Sequence, residues 1–444
     1  MVKMYLIWLL SFSAYACKTP ETIIPAGKVI DTIVCKADPS QSYALYIPTK
    51  GNQTALPILY MFDSHGDGSF PLDKYKSLAE TYGFILVGSN NSKNGNDWPA
   101  TEHIWTSLSA DTRSRLNIDT NRIYTVGFSG GAKVAGYVAI MYPGIKGVIA
   151  GGAGLPDGVR AGDFDFSFTA LAGEGDMNLT DLISFNTGLD RTHTRHRLIL
   201  FDGKHEWAPA PVMETAFAGL QLDAMQKGVL PKDQGLIRNY VAESEKRIDA
   251  YEKEGRWTRA WQECSVSVSL LDGVSDSAAW FGKKAAALEA TTQYQQQRRT
   301  EQALLVREES TKETYSQHFQ QADLTYWNNT IADLQTKASV RSDEQGMYQR
   351  LLAFLSLAFY SFSNRFIAAG QNDAARHFVD LYKLDDPTNS EGWYFSAILD
   401  ARAGQAAQAD LLKAVQYGFR DVKRMREQPE FQQLDLSAVI QAMH

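Results

Sequence analysis

From Val29 to about Leu222 the chain alternates between two kinds of text, and then the alternation ends. Short, nearly continuous apolar runs at 42–47, 58–62, 84–89, 122–126, 147–150, 169–172 and 198–201 read as strands. Amphipathic stretches at 72–82, 101–116, 132–141 and 179–189 read as helices between them. Strands apolar on both faces and separated by helices belong to a mainly parallel sheet covered on both sides. Beyond Leu230 no strand pattern recurs, and the text is rich in Ala, Gln, Glu, Lys and Arg. At 444 residues the chain exceeds what one core holds. The expected architecture is an α/β domain over 29–228, a helical region over 229–340 and helical repeats over 341–444.

The repeats rest on an echo. Ala369-Gly370 and Ala403-Gly404 are each followed by Gln, and Ala375 and Ala409 keep the same offset. Pro387 closes the first unit and Trp393 opens the second. The offset matches the tetratricopeptide period of about 34 residues, although the Trp-Leu-Gly-Tyr pattern is incomplete. Such units bury their faces on neighbours. Stretches at 251–271 and 277–288 are expected to supply further helices. The charged, Gln-rich run at 292–313 reads as one long solvated helix.

Ahead of the alternation, Lys3 precedes an apolar run at 4–12 and then Ser13-Ala14-Tyr15-Ala16-Cys17. This is the layout of a secretory signal. The run is too short for a permanent span, which takes ~20 apolar residues. Its ending resembles a bacterial lipobox, which implies lipidation of Cys17 as the first mature residue. Ala14 stands where Leu is usual, so ordinary cleavage after Ala16 stays open. The expectation is export, as a membrane-anchored lipoprotein or as a secreted protein, with 18–28 as a tether. Membrane contact would run only through that anchor. Cys17, Cys35 and Cys264 are too scattered for a C-x-x-C site or a disulfide framework. No ligand spacing implies a metal. The net charge of −7 argues against nucleic acid, which needs a concentrated basic face.

Residues 127–131 read Gly-Phe-Ser-Gly-Gly. A G-x-S-x-G pentapeptide alone is a weak signal, arising by chance in roughly one chain in seven of this length; its place between a strand at 122–126 and a helix at 132–141 is what raises it. There Ser129 sits on a sharp strand-to-helix turn, flanked by glycines because the turn crowds its neighbours. The amides that follow lie at a helix N-terminus, where developing negative charge is favoured. A serine nucleophile needs a base, and the base an orienting acid. In an open parallel sheet the site lies beyond the carboxyl ends of the strands. His205 follows the strand at 198–201, on the correct end, whereas His193 and His196 precede it. Asp176 follows the strand at 169–172 on the correct end, with Glu174 and Asp181 as runners-up; Asp163 and Asp165 precede the strand. The order Ser129, Asp176, His205 is that of α/β hydrolases. For an oxyanion, the expected donors are the Gly130 amide and an amide at Gly66 or Asp67. The latter lie in the loop Asp63-Ser64-His65-Gly66-Asp67-Gly68. Asp67 must then point its carboxylate away or cap the next helix. Trp98, Trp105 and Trp207 are candidate substrate contacts at the mouth, or else packing residues.

The elbow, the His-Gly loop, the Gly-x-x-Asp and the Gly-x-His-x-Trp together resemble the polyhydroxybutyrate depolymerase and feruloyl esterase branch of α/β hydrolases. The resemblance covers roughly 29–222, under half the chain. It implies an α/β-hydrolase fold and hydrolysis of small or polymeric carboxylic esters through an acyl-serine intermediate, with no cofactor. The acidic oxyanion loop and Lys133 after the elbow depart from the pattern and leave the substrate open. Two other readings stand beside it. One is a serine peptidase of the prolyl-peptidase type. The other is a lipid-anchored scaffold that binds a protein partner through its helical repeats and carries a degenerate hydrolase domain.

Overall fold

The computed structural model of the chain describes residues 24–49, 55–319 and 323–443. The signal segment, Cys17 and most of the tether lie outside the described residues. The first half runs β1 (Ile30–Val34), β2 (Ser42–Tyr46), β3 (Leu56–Phe62), α1 (Ser69–Tyr82), β4 (Ile85–Ser89), α2 (Trp98–Arg115) and β5 (Ile118–Phe128). It continues with α3 (Gly130–Met141), β6 (Ile145–Gly151), β7 (Ser167–Gly173), α4 (Leu179–Leu189), β8 (His196–Phe201) and α5 (Ala210–Gln226). The strands form one eight-stranded sheet in the order 1-2-4-3-5-6-7-8. β1 and β2 pair antiparallel; from β4 to β8 every pairing is parallel. The crossovers put α1 and α5 on one face and α2, α3 and α4 on the other, each face covering an apolar layer. The alternation predicted such a covered, mainly parallel sheet, and this strand order makes it the α/β-hydrolase fold that the resemblance implied. β1, which the sequence reading lacked, is short and half-exposed at the edge.

The rest is helical: α6 (Gln234–Lys253), α7 (Trp257–Leu271), α8 (Ser277–Glu289), α9 (Thr292–His318), α10 (Leu324–Ala338) and α11 (Gln345–Ala368). Then come α12 (Asn372–Asp385), α13 (Ser390–Arg402), α14 (Gln408–Gln416), α15 (Val422–Glu427) and α16 (Ser437–Gln441). The stretch 251–271, expected to supply helix, holds the end of α6 and all of α7, parted at Gly255, which adopts a φ of 72°. The apolar layer under α5 does not stop at residue 228. It continues through Tyr240, Ile248, Cys264, Leu270 and Phe281 of α6, α7 and α8. α7 also lies along β8, the edge strand. Arg259 Nη2 donates to Leu200 O (2.5 Å), Gln262 Nε2 to Leu198 O (3.4 Å) and Ser269 Oγ to His196 O (2.9 Å). Alternate carbonyls of an edge strand face outward, and these are the ones the helix occupies.

A second core joins α10 to α16 around Trp327, Leu355, Phe359, Val379 and Tyr394. The two Ala-Gly-Gln sequences end α11 and α13 in the same way. Gly370 and Gly404 adopt φ of 68° and 69°, and the Gln371 and Gln405 amides bond back to Phe366 O and Asp400 O. The echo then slips: Ala375 is buried, Ala409 is exposed, and Ala407 fills the buried place. α9 is not simply a solvated helix, since Glu308 in its middle is fully buried.

Candidate active site

Ser129 is the one non-glycine residue with positive φ among the described residues (φ 54°, ψ −122°). It joins the last residue of β5 to the first of α3. Two glycines make that turn possible. A Cβ on Gly127 would lie 2.0 Å from Gly131 O, and one on Gly131 would lie 1.9 Å from Phe62 O. The pentapeptide is thus a steric requirement: α3 starts pressed against the ends of β5 and β3.

Ser129 Oγ lies 2.9 Å from His205 Nε2. His205 Nδ1 lies 3.0 Å and 3.1 Å from the two carboxylate oxygens of Asp176. Asp176 is 1% exposed, and one of its oxygens accepts the Asn178 amide at 2.9 Å. Asn178 Nδ2 donates to Gly152 O (2.7 Å). Gly152 itself, at φ 64°, leaves room for the imidazole: a Cβ there would come within 3.0 Å of the ring. Phe128 covers the ring, with centroids 4.7 Å apart. A hydroxyl, an imidazole and a buried carboxylate in this order can move a proton from oxygen to nitrogen and stabilise the imidazolium that results. His193 and His196 stand at the opposite end of β8 from His205, bonded to Asp163 and Asp190.

The loop after β3 is held by Asp63, which the sequence reading passed over. Its Oδ1 accepts the His65 amide (2.8 Å) and its Oδ2 accepts the Trp207 indole N–H (2.9 Å). Burial pushes this carboxyl up, but the hydrogen bonds from His65 and Trp207 outweigh burial and hold it below the usual carboxylate value. The Asp63 carboxylate, 3.4 Å from the ring Nδ1 of the exposed His65, raises that imidazole in turn. Asp67 turns its carboxylate onto α1, accepting Ser69 Oγ (2.9 Å) and the Phe70 amide (3.1 Å). The Gly66 amide is 3.4 Å from Asp63 O, a long contact.

The three tryptophans part company. Trp207 is 6% exposed and packed between Tyr75 and Phe128. Trp105 is 3% exposed, edge-on to Tyr60. Both are packing residues and neither offers a face to a ligand; only β-strand and helix contacts, invisible in a local pattern, decide this. Trp98 is 40% exposed and stacked on Tyr137 at 4.3 Å and 11°. Tyr137 is fixed in turn by Glu102 (2.5 Å). Asn94 is a mouth residue that the reading did not single out. Its amide is tied to Ser64 O (2.8 Å), and its side chain lies over Gly130, where a Cβ would meet Oδ1 at 1.8 Å. It lies in the stretch 90–98 between β4 and α2 that leads up to Trp98.

No family model matches the chain. Acetylxylan esterase A of Aspergillus oryzae is 22% identical over 170 residues, 35% of this chain and 55% of that protein. The chain thus spans about half the length of the curated relatives it matches. Among solved structures, an esterase of Pyrobaculum calidifontis is 17% identical, with a TM-score of 0.36 over 45% of this chain and 85% of that one. A ferulic acid esterase is 17% identical, with a TM-score of 0.33 over 43% and 94%. An S-formylglutathione hydrolase from Agrobacterium tumefaciens is 17% identical, with a TM-score of 0.35 over 44% and 93%.

Proposed function

We propose that the chain is an exported serine hydrolase that cleaves carboxylic esters through an acyl-serine intermediate. The observation that carries this reading is the hydrogen-bonded line from Ser129 through His205 to Asp176, at a serine held in a backbone conformation that side chains avoid. The similarity to an acetylxylan esterase supports the ester as substrate class. In this mechanism His205 Nε2 takes the Ser129 proton as Oγ attacks the carbonyl carbon. The carbonyl π electrons move onto oxygen. The Gly130 amide and an amide at Gly66 or Asp67 hold that oxyanion, a contribution of several kcal/mol in such sites. His205 then protonates the leaving alcohol, and water repeats the sequence in reverse to free the acid. Asp176 keeps the imidazole oriented. Trp98 is the remaining aromatic candidate for substrate contact. No cofactor is needed. The helix pairs α11/α12 and α13/α14 serve as tetratricopeptide-like units that offer a surface to a protein partner. Cys17 carries the lipid anchor of the exported form.

The test is reaction with a fluorophosphonate followed by mapping of the adduct. Such reagents modify a serine only where a base and oxyanion donors activate it. The expected result is one adduct on Ser129, absent in Ser129→Ala and His205→Ala, together with turnover of short acyl esters that both variants lose. Unchanged ester turnover in both variants would refute the reading.

A further inference from the structure

The loops that carry Asp176 and His205 are stitched to each other and to the helical region. The Glu174 amide donates to Phe201 O (2.9 Å) and the Gly175 amide to Gly203 O (2.8 Å), so the acid loop and the histidine loop are tied to each other. Three arginines from the helical region hold this pair. Arg256, just before α7, binds both carboxylate oxygens of Asp202 and reaches Glu174 Oε1 (3.2 Å). Arg259 Nε lies 3.3 Å from the same Glu174 oxygen. Arg350, in the second turn of α11, donates Nη1 to the backbone carbonyl of Glu174 (2.5 Å). Its Nε and Nη2 are taken by Glu308 of α9, each at 2.7 Å.

The α11 contact is close. A Cβ on Gly346 would lie 3.2 Å from Glu174 O, and one on Gly175 would strike Gln349 at 2.7 Å. Between these contacts lies a cleft of about 2130 Å³, lined by Glu174, Asp202, Arg256, Arg259 and Arg350. A buried Arg–Glu pair adds little net stability over an apolar pair of the same size. What the Glu308–Arg350 pair does is aim the remaining arm of the guanidinium at one carbonyl, two residues from Asp176.

We infer that Arg350, oriented by Glu308, and Arg256 are positioning residues for the hydrolase site: the helical region sets the geometry between Asp176 and His205. The inference rests on the serine-hydrolase reading above. Neither arginine touches the triad; each acts through the loop that carries a triad member. The helical region is therefore part of the catalytic apparatus, not an independent appendage.

The test uses the full chain. Replacing the buried pair by an apolar one, Arg350→Met with Glu308→Met, removes the bond to Glu174 O; Lys312, which also binds Glu308 (2.8 Å), keeps Glu309 as its partner (3.2 Å). Cooperative unfolding is expected to persist. Fluorophosphonate labelling of Ser129 and kcat are expected to fall about 10- to 100-fold, as for a sub-ångström to ångström misplacement of a reacting group. KM for a short acyl ester stays the same. Arg256→Met, from the other side of the cleft, moves labelling in the same direction. The rate lost in Arg350→Ala returns when guanidinium is added well below denaturing concentration, since the cleft admits it. A folded double variant that labels and turns over like wild type overturns the inference while leaving the serine-hydrolase reading intact. Absence of labelling in the wild-type chain brings down that reading and this inference with it.

Discussion

Gly127, Gly130 and Gly131 surround Ser129 for different reasons, and their alanine variants separate those reasons. A methyl at 127 or 131 would lie 2.0 Å or 1.9 Å from a backbone oxygen, far inside van der Waals contact, with nothing that can swing aside. Gly131→Ala is expected to cost at least about 2 kcal/mol, read as a lower denaturation midpoint. A methyl at 130 meets only the end of the Asn94 side chain, which is exposed and can turn away. Gly130→Ala should fold with nearly unchanged stability, and its effect should fall on ester turnover. The chain's text announces these glycines, because a turn of five residues is local. Asp63 is different: its partner Trp207 is 144 residues away, and no pattern in the sequence joins them. Its effect is visible in pH dependence. Because the folded-state pKa is depressed, the stability Asp63 contributes is fully present above its ordinary pKa of about 4 and is lost as pH falls through the depressed value. The melting temperature of Asp63→Asn should therefore lie below wild type at neutral pH, and the gap should close below pH ~4. A gap that stays constant to low pH would contradict this account.

At the scale of elements, strands were legible because burial on both faces makes them apolar throughout: β3, β4, β6, β7 and β8 all fall where the apolar runs stand. β1 was not, because Asp31 and Thr32 interrupt its apolar residues Ile30, Ile33 and Val34 on a half-exposed edge strand. α5 was missed for the opposite reason. It is buried on most of its surface, so it has no polar face to set its period. The role of α7 could not be read at all. Its amphipathic pattern announces a helix, but not that Arg259, Gln262 and Ser269 would face the carbonyls of β8. Ser269→Ala removes one neutral bond there and should cost about 1 kcal/mol, measured by denaturant unfolding. Arg259→Ala uncovers Leu200 O and also loosens Glu174, so it should cost more, about 2–3 kcal/mol, and slow Ser129 labelling as well. Equal effects of the two substitutions on labelling would argue against the coupling.

For the whole molecule, the division near residue 228 marks a change of secondary structure, while the apolar layer of the sheet continues into α8. Sequence alternation shows where strands end; it does not show which helices the sheet needs. Residues 24–228 expressed alone are expected to aggregate or to unfold without cooperativity, whereas a chain ending after α8 should be soluble. Gel filtration and thermal unfolding of the two fragments decide between them, and a well-behaved monomer of 24–228 would be contrary to the packing described. The helix along β8 also has a consequence in time. While the chain is being made, the β8 residues emerge 59 to 73 residues ahead of the α7 residues that cover them, or several seconds at ordinary synthesis rates. Through that interval the sheet is complete except for its stopper, and the free carbonyls of β8 can be matched by the same strand of another nascent chain. Crowded polysomes would be the dangerous place for this protein, and a holding chaperone that keeps newborn chains apart would matter more for its yield than any help in finding the fold.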